Sequence, residues 1–262
     1  MIIHVVKAGE TPTSISELYG VQLNRLLRDN DLNQYQPLVV GQAIVIQFPK
    51  VVHTVEQGES LFSIAQRYNT SLITLLRNNY YLMGNKEVYP GQEIVISYDD
   101  QPIGNMNVNA YAYTYINYDL LKSSLPYLTF LSPFTYGIAN DGGLININDN
   151  WMINLAGNYD VQPLMHLSTL NEQGVFSNAT ASNVFNNADV RENLENNIVN
   201  NLRTKGYYGL DIDFEFINPQ ESIVYSELIN ELKERLNPLG YDVIAALAPK
   251  TSDEQKGTLY EG

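Results

Sequence analysis

An internal repeat constrains this chain more than any other feature. His4-Val5-Val6-Lys7-Ala8-Gly9-Glu10-Thr11 recurs as His53-Thr54-Val55-Glu56-Gln57-Gly58-Glu59-Ser60, an offset of 49 residues. The register persists: Ile15 and Tyr19 match Ile64 and Tyr68, Leu26-Leu27-Arg28 matches Leu75-Leu76-Arg77, and Asn30 matches Asn79. After a one-residue insertion, Gly41-Gln42-Ala43-Ile44-Val45-Ile46 matches Gly91-Gln92-Glu93-Ile94-Val95-Ile96. A repeat of this period is one supersecondary unit written twice.

Each unit reads as a β-α-α-β module: a short strand, a Gly-Glu-Ser/Thr turn able to cap a helix, two short amphipathic helices, and a closing strand after a Gly-Gln turn. Thr11 followed by Pro12 is helix-start chemistry, since proline at the first helical position gives up no needed hydrogen bond. In the second unit Ile64, Ala65 and Tyr68, then Leu72, Leu75 and Leu76, give each helix one face to bury. His4 and His53 open the repeats, but nothing else stands at metal-ligand spacing, so they read as strand-start residues and no metal is expected.

These residues resemble LysM repeats over both units, 1–49 and 50–98. The resemblance implies binding of glycans that contain N-acetylglucosamine, through the loop before the first helix and the loop before the last strand. Carried over by position, Gly58, Glu59, Ser60, Leu61, Tyr89 and Pro90 form the groove of the second module. The first module departs from the pattern, with Pro12 in place of Leu61 and Val40 in place of Pro90. Read without the resemblance, all of these are turn residues.

Residues 99–105, Asp99-Asp100-Gln101-Pro102-Ile103-Gly104-Asn105, have linker composition. From Met106 the pattern changes to alternating strand and helix, which predicts a parallel sheet with helices outside. Candidate strands are Val108 to Tyr113, Tyr127 to Ser132, Pro163 to Ser168, Tyr208 to Asp213 and Val243 to Ala248. Asp189, with Glu192 three residues on, reads as a capping box for a helix with Val190, Leu194, Ile198 and Leu202 on one side and Gly206 as its stop. Pro219 to Leu236 reads as the next, with Ile223, Leu228, Leu232 and Leu236 inward.

Gly209-Leu210-Asp211-Ile212-Asp213-Phe214-Glu215-Phe216 is the stretch richest in chemistry. On a strand, Asp211, Asp213 and Glu215 share one face and the large apolar residues share the other. Crowded carboxyls do not all ionise cheaply, so one retains a proton at neutral pH, and a retained proton is what a general acid needs. Glu215, last in the row, is the candidate donor. A solvated strand edge and a divalent-metal site are the competing readings; four large apolar residues oppose the first, and the lack of a clustered histidine opposes the second.

The stretch resembles the family 18 glycoside hydrolases, whose fourth barrel strand ends in Asp-Gly-x-Asp-x-Asp-x-Glu; here Tyr208 replaces the first Asp. The resemblance implies that Glu215 protonates the glycosidic oxygen and later activates water. It also implies that Asp213 holds the acetamido group of the substrate, whose oxygen attacks the anomeric carbon, with Asp211 as the alternate partner of Asp213. This is a substrate-assisted retaining route without a protein nucleophile and without a cofactor. The fold class expected is α/β: two LysM modules followed by the N-terminal part of a (β/α)8 barrel over 106–262.

Two LysM modules joined to such a domain resemble the cortical-fragment-lytic N-acetylglucosaminidases of spore-forming bacteria. Further matching landmarks are Asn109-Ala110-Tyr111, Ser132-Pro133-Phe134 and Ala246-Leu247-Ala248-Pro249-Lys250. The resemblance implies a peptidoglycan substrate, the spore cortex, and a location on the spore. Tyr111, Ser132 and Tyr136 are candidates to contact substrate, and His166 to line the same pocket; Trp151, the single Trp, invites sugar stacking or plain packing. A full barrel takes about 250 residues, so a region ending after a fifth strand is expected to show little hydrolysis by itself. The other reading is a non-catalytic peptidoglycan- or chitin-binding protein with an inactive barrel.

Composition agrees with a neutral polar ligand. A net charge of −14 argues against a grip on nucleic-acid phosphates, while 19 Tyr and 8 Phe suit sugar rings. No long apolar run or basic-then-apolar leader is present in the sequence, so neither a membrane partner nor a signal peptide is expected. With no Cys, disulfides, thiolate metal sites and a cysteine nucleophile are excluded. The expected state is a monomer.

Overall fold

A computed structural model describes residues 1–33, 35, 37–99, 104–215, 217–247 and 252. The chain divides into two compact units, Met1–Met106 with Lys122–Pro126, and Asn107–Leu121 with the chain from Tyr127. Linker residues 100–103 and the Ala248-Pro249-Lys250 landmark lie outside the described residues.

The first unit holds the repeat. Strand β1 (Ile2–Val5), helices α1 (Pro12–Tyr19) and α2 (Leu23–Asp29) and strand β2 (Ala43–Ile46) are followed by β3 (Pro49–Thr54), α3 (Leu61–Arg67), α4 (Leu72–Asn78) and β4 (Glu93–Tyr98). In both modules the outer strands pair antiparallel, with His4 opposite Ile44 and His53 opposite Ile94. The caps form as the turn sequences predict: Thr11 exchanges hydrogen bonds with Ser14, and Ser60 with Ser63, as capping boxes, and Pro12 opens α1. Val6, Ile15, Leu26, Ile44 and Ile46 make the first core; Val55, Ile64, Ala65, Leu75, Leu76, Ile94 and Val95 are its buried counterparts. Tyr68 departs from the expected inward face, being 37% exposed, because its hydroxyl reaches His53 Nδ1 at 3.2 Å.

One amide pins each module. Asn79, fully buried, donates to the carbonyls of Leu75 and Val95, both at 2.8 Å, and accepts from Val95 N at 2.8 Å. Asn30 makes the same three bonds to Leu26 and Val45 at 2.9, 2.8 and 2.6 Å. A single side chain thus ties the end of the second helix to the closing strand and leaves no buried polar atom of its own unpaired.

The second unit is strand and helix in alternation: β5 (Asn109–Tyr113), α5 (Tyr118–Ser124), β6 (Phe130–Phe134), a small hairpin of β7 (Gly137–Ile138) and β8 (Leu144–Ile145), then α6 (Asn150–Gly157) and β9 (Gln162–Ser168). Next come α7 (Asn178–Asn186), α8 (Ala188–Lys205), β10 (Gly209–Asp213), α9 (Ser222–Leu236) and β11 (Asp242–Ala245). Five strands form one sheet in the order β11-β10-β9-β6-β5, every pair parallel, and among the described residues it is not closed into a barrel. Met165, Leu167, Leu210 and Ile212 face the core beneath α7, α8 and α9, with Val184, Leu194, Ile198, Leu202, Leu228 and Leu232.

Several local expectations shift. The second strand starts at Phe130 rather than Tyr127, because Leu125–Tyr127 form a 3-10 turn around Pro126. Helix α7 has no counterpart among the expected elements. The cap of α8 is Asn187, whose side chain accepts from Asp189 N and Val190 N, not an Asp189–Glu192 box; Gly206 ends the helix with φ 75° as predicted. Ile223 is 71% exposed. Pro219–Glu221 turn as a 3-10 segment, α9 starts at Ser222, and Tyr225 takes the inward position expected of Ile223.

Candidate active site

Strand alternation puts Asn109, Tyr111, Ser132, His166, Asp211 and Asp213 on the sheet face opposite the helices. The register aligns Tyr111 with Ser132, Asp211 with His166, and Asp213 with Ser168. Asp211 is fully buried; its Oδ2 accepts from Ser132 Oγ at 2.9 Å and from Asn109 Nδ2 at 3.3 Å, while Oδ1 has no hydrogen-bond partner. Three strands therefore hold one carboxylate. Asp213 is partly exposed at the strand end, with Oδ2 at 3.3 Å from His166 Nε2, a contact at ion-pair range that does not meet hydrogen-bond geometry.

Glu215 lies two residues beyond the strand and reaches solvent. Partial burial, and then the charge of Asp213, raise its carboxyl above the ordinary 4.5, with His166 pulling the other way. That direction agrees with a retained proton. Tyr111 is half-exposed over the row; burial, then Asp211 and Asp213, push its hydroxyl up to about 12, so it stays a neutral donor. Its ring meets His166 edge-on at 5.1 Å, and Phe134 lies 4.8 Å from the same imidazole. Tyr113 packs on Phe134 at 5.1 Å and stacks on Tyr115 at 5.0 Å. Acids floored by aromatics suit a ligand with hydroxyl edges and apolar faces.

Tyr136 is not in this site. It is fully buried on the helix side of the sheet, and its hydroxyl donates to Asp149 Oδ2 at 2.5 Å while accepting from Lys205 Nζ at 2.6 Å. Tyr207 also donates to Asp149, a carboxylate with no exposed surface. Trp151 sits on α6 beside Tyr118, rings 6.1 Å apart, in a separate cleft of about 560 Å³ with Ile116, Asn154, Leu155 and Asn158. Tyr208, where the family pattern has Asp, lies against Phe130 at 5.8 Å. Thr135 and Tyr113 were not singled out from the sequence, and Phe134 stood only in the Ser132-Pro133-Phe134 landmark without a role; the alternation of β5 and β6 carried the signal for Phe134 and Tyr113.

In the second LysM module Gly58, Ser60, Tyr89 and Pro90 are exposed around the two loops. Leu61 is 1% exposed, so its side chain belongs to the core rather than to an open groove; Pro12 of the first module is buried likewise. Phe62, 62% exposed at the start of α3, offers the apolar surface expected of Leu61. Glu59 is internally engaged: it accepts from Glu56 N at 2.8 Å, His53 Nε2 at 2.6 Å and Arg67 Nη1 at 2.8 Å. Glu10 repeats the first two bonds, from Lys7 N at 2.7 Å and His4 Nε2 at 2.9 Å. His4 and His53 are thus bonded within their modules, and among the described residues no group of three or more His, Cys, Asp or Glu is placed to hold a metal ion. No helix among the described residues is long and apolar enough to cross a membrane.

Comparison with known proteins agrees with both halves of this picture. The LysM domain family matches residues 4–47 and 53–97. A cortical fragment-lytic enzyme of Bacillus subtilis is 35% identical over 273 residues, covering 100% of this chain and 61% of that protein. The crystal structure of the Bacillus megaterium spore cortex-lytic enzyme SleL superposes with a TM-score of 0.74 at 29% identity, covering 99% of this chain and 61% of that one. A chitinase from Chromobacterium violaceum shares the fold, with a TM-score of 0.52 at 20% identity over 59% of this chain and 50% of its own. The chain spans about 61% of the length of the cortical fragment-lytic relative it matches. Two LysM domains are therefore joined here to an open α/β domain with a family 18 glycoside hydrolase-like fold, homologous to the SleL-type cortical fragment-lytic enzymes.

Proposed function

We propose that this protein is a cell-wall glycosidase that cleaves N-acetylglucosaminyl bonds in peptidoglycan of the spore cortex, with the LysM modules holding it on the glycan. The observation that carries the reading is the acid row: Asp211 and Asp213 on one face of β10, and Glu215 beyond them with its proton affinity raised by partial burial and by Asp213. A carboxyl kept protonated near neutral pH can donate to a leaving oxygen. Glu215 is the proposed donor and later the base for water. Asp213 orients the acetamido group, whose carbonyl oxygen displaces the leaving group, and Asp211 sets the position and charge of Asp213 from below. No nucleophilic side chain is needed on this route.

Tyr111 and Ser132 divide into two roles. Tyr111, half-exposed over the acids, contacts substrate; Ser132, fully buried on Asp211, supports the row. Proposed anchoring surfaces are the exposed Gly58, Ser60, Phe62, Tyr89 and Pro90, and a spore location follows from the substrate.

The test is mass analysis of products from defined cortex muropeptides. The full-length protein is expected to leave N-acetylglucosamine at the new reducing end, and Glu215→Gln to stop release; retained hydrolysis in the variant removes Glu215 from its role. A second reading, glycan binding without hydrolysis, draws on the open sheet, whose edge strands β5 and β11 each have one neighbour among the described residues. On that basis the 262-residue chain alone is expected to bind glycan and hydrolyse little. Wild-type turnover by that chain overturns the expectation.

A further inference from the structure

His166 is the one histidine of the three in the chain that lies outside the LysM repeat, and it is fully buried in the middle of β9. Its Nδ1 is 2.7 Å from Thr135 Oγ1 and its Nε2 is 3.3 Å from Asp213 Oδ2. Rings of Tyr111 and Phe134 hold the imidazole from two sides. The titratable groups about it are Tyr111 from β5, Asp211 and Asp213 from β10, and Glu215 beyond β10; Thr135 and Ser168 supply hydroxyls.

The hydrogen-bond inventory decides where the imidazole proton sits. The nearby carbonyls already have backbone donors, Tyr136 O from Ser168 N at 3.0 Å and His166 O from Tyr136 N at 2.9 Å. Each keeps a second lone pair, and the Thr135 hydroxyl has both of them and Ser168 Oγ, 3.0 Å away, as acceptors, so it either donates to Nδ1 or donates elsewhere and accepts from Nδ1. In the first case neutral His166 carries its proton on Nε2, facing Asp213. If Thr135 instead turns its proton elsewhere and Nδ1 becomes the donor, a bare Nε2 lone pair would face the Asp213 carboxylate, and a proton placed between the two atoms relieves the repulsion. Both arrangements end with a proton between Nε2 and Asp213.

We infer that His166 is a positioning residue, fixed by Thr135, that presents an Nε2 proton to Asp213 and so orients that carboxylate beside Glu215. Its catalytic consequence rests on the hydrolase reading; its placement and protonation do not.

The deciding experiment is a pH series of long-range proton–nitrogen spectra on the 262-residue chain, with the His166 signals assigned by their loss in His166→Gln. A protonated Nε2 is expected in the wild type, and Asp213→Asn is expected to displace the His166 Nε2 signals, as loss of the facing carboxylate does. A bare Nε2, or Nε2 signals unmoved by Asp213→Asn, overturns the inference whatever the protein hydrolyses. Should Asp213→Asn fail to fold, Thr135→Val is read in its place: loss of the Nδ1 hydrogen-bond signature is expected, and an unaltered Nδ1 shift counts against the relay. In the full-length protein His166→Leu is expected to lower kcat about 100-fold with a smaller change in KM and a displaced pH profile, and His166→Gln, which restores an N–H donor, to recover about tenfold of that loss. Equal losses in both variants overturn the positioning role. A wild type inactive on muropeptides but with the expected spectra counts against the hydrolase reading alone.

Discussion

Glu59 and Glu215 each have a histidine for a neighbour, yet the fold moves their proton affinities in opposite directions. The Glu56 backbone N–H and then His53 hold the Glu59 carboxyl below its ordinary range, so it stays ionised as a clamp between the first strand of its module and α3. Partial burial and the charge of Asp213 raise Glu215 above its ordinary range, the direction a proton donor needs. A carboxylate whose oxygens are saturated by donors becomes structure; one left short of donors beside another acid becomes a reagent. The distinction lies in the donors supplied by the surrounding backbone, not in the residue types, which are the same pair in both places.

The largest effect separating the two carboxyls is on turnover. Glu215→Gln is expected to lower the hydrolysis rate of the full-length protein by about 1,000-fold, within the range for loss of a general acid, while Glu59→Gln leaves kcat as it was; muropeptide release assays read both. Next in size is a test of how far the two LysM modules are the same object. Asn79→Ala and Asn30→Ala each remove three hydrogen bonds and strand their partners, so each is expected to cost about 2–4 kcal/mol in its own module, read by amide hydrogen exchange module by module. A loss in one module only would show that the repeat is not energetically equivalent.

Smaller effects concern pH. Because the Glu59 carboxyl has its affinity lowered by folding, the stability it contributes is present above its unfolded value, ordinarily near 4.5, and is lost as pH falls through the folded value. Glu59→Gln is therefore expected to lower the melting temperature at pH 7 and to converge on the wild type in acid. Glu215 has the opposite sign. Its affinity is raised, so ionising it near neutrality costs stability that is absent in acid, and Glu215→Gln is expected to raise the melting temperature slightly at pH 7 and to leave it unchanged below pH 4. Parallel curves for the two variants would remove the contrast.

The LysM half was legible because its signals occur twice: Thr11 and Ser60, Gly41 and Gly91, and Asn30 and Asn79 each corroborate the other. The acid row was legible because alternation on a strand requires no knowledge of what lies opposite. What escaped depended on partners far along the chain. Asn187 outcompetes the Asp189–Glu192 spacing because its amide already bonds the first N–H groups of α8. Tyr136 looked like a pocket residue until Asp149 and Lys205 drew its hydroxyl to the helix side. His166 was a pocket candidate from its place near a strand end, but its specific partners were not legible: only the register that aligns it with Asp211 and brings it to Asp213 supplies them.

The strand order β5-β6-β9-β10-β11 has a consequence for how such a sheet is made. Setting the small hairpin aside, each strand docks beside the one that precedes it in the polypeptide, so a ribosome releasing the chain from its N-terminus delivers every new strand to a neighbour already in place. Assembly can proceed by accretion at one growing edge, each new strand covering the edge left open by the strand before it. Synthesis and construction then run in the same direction.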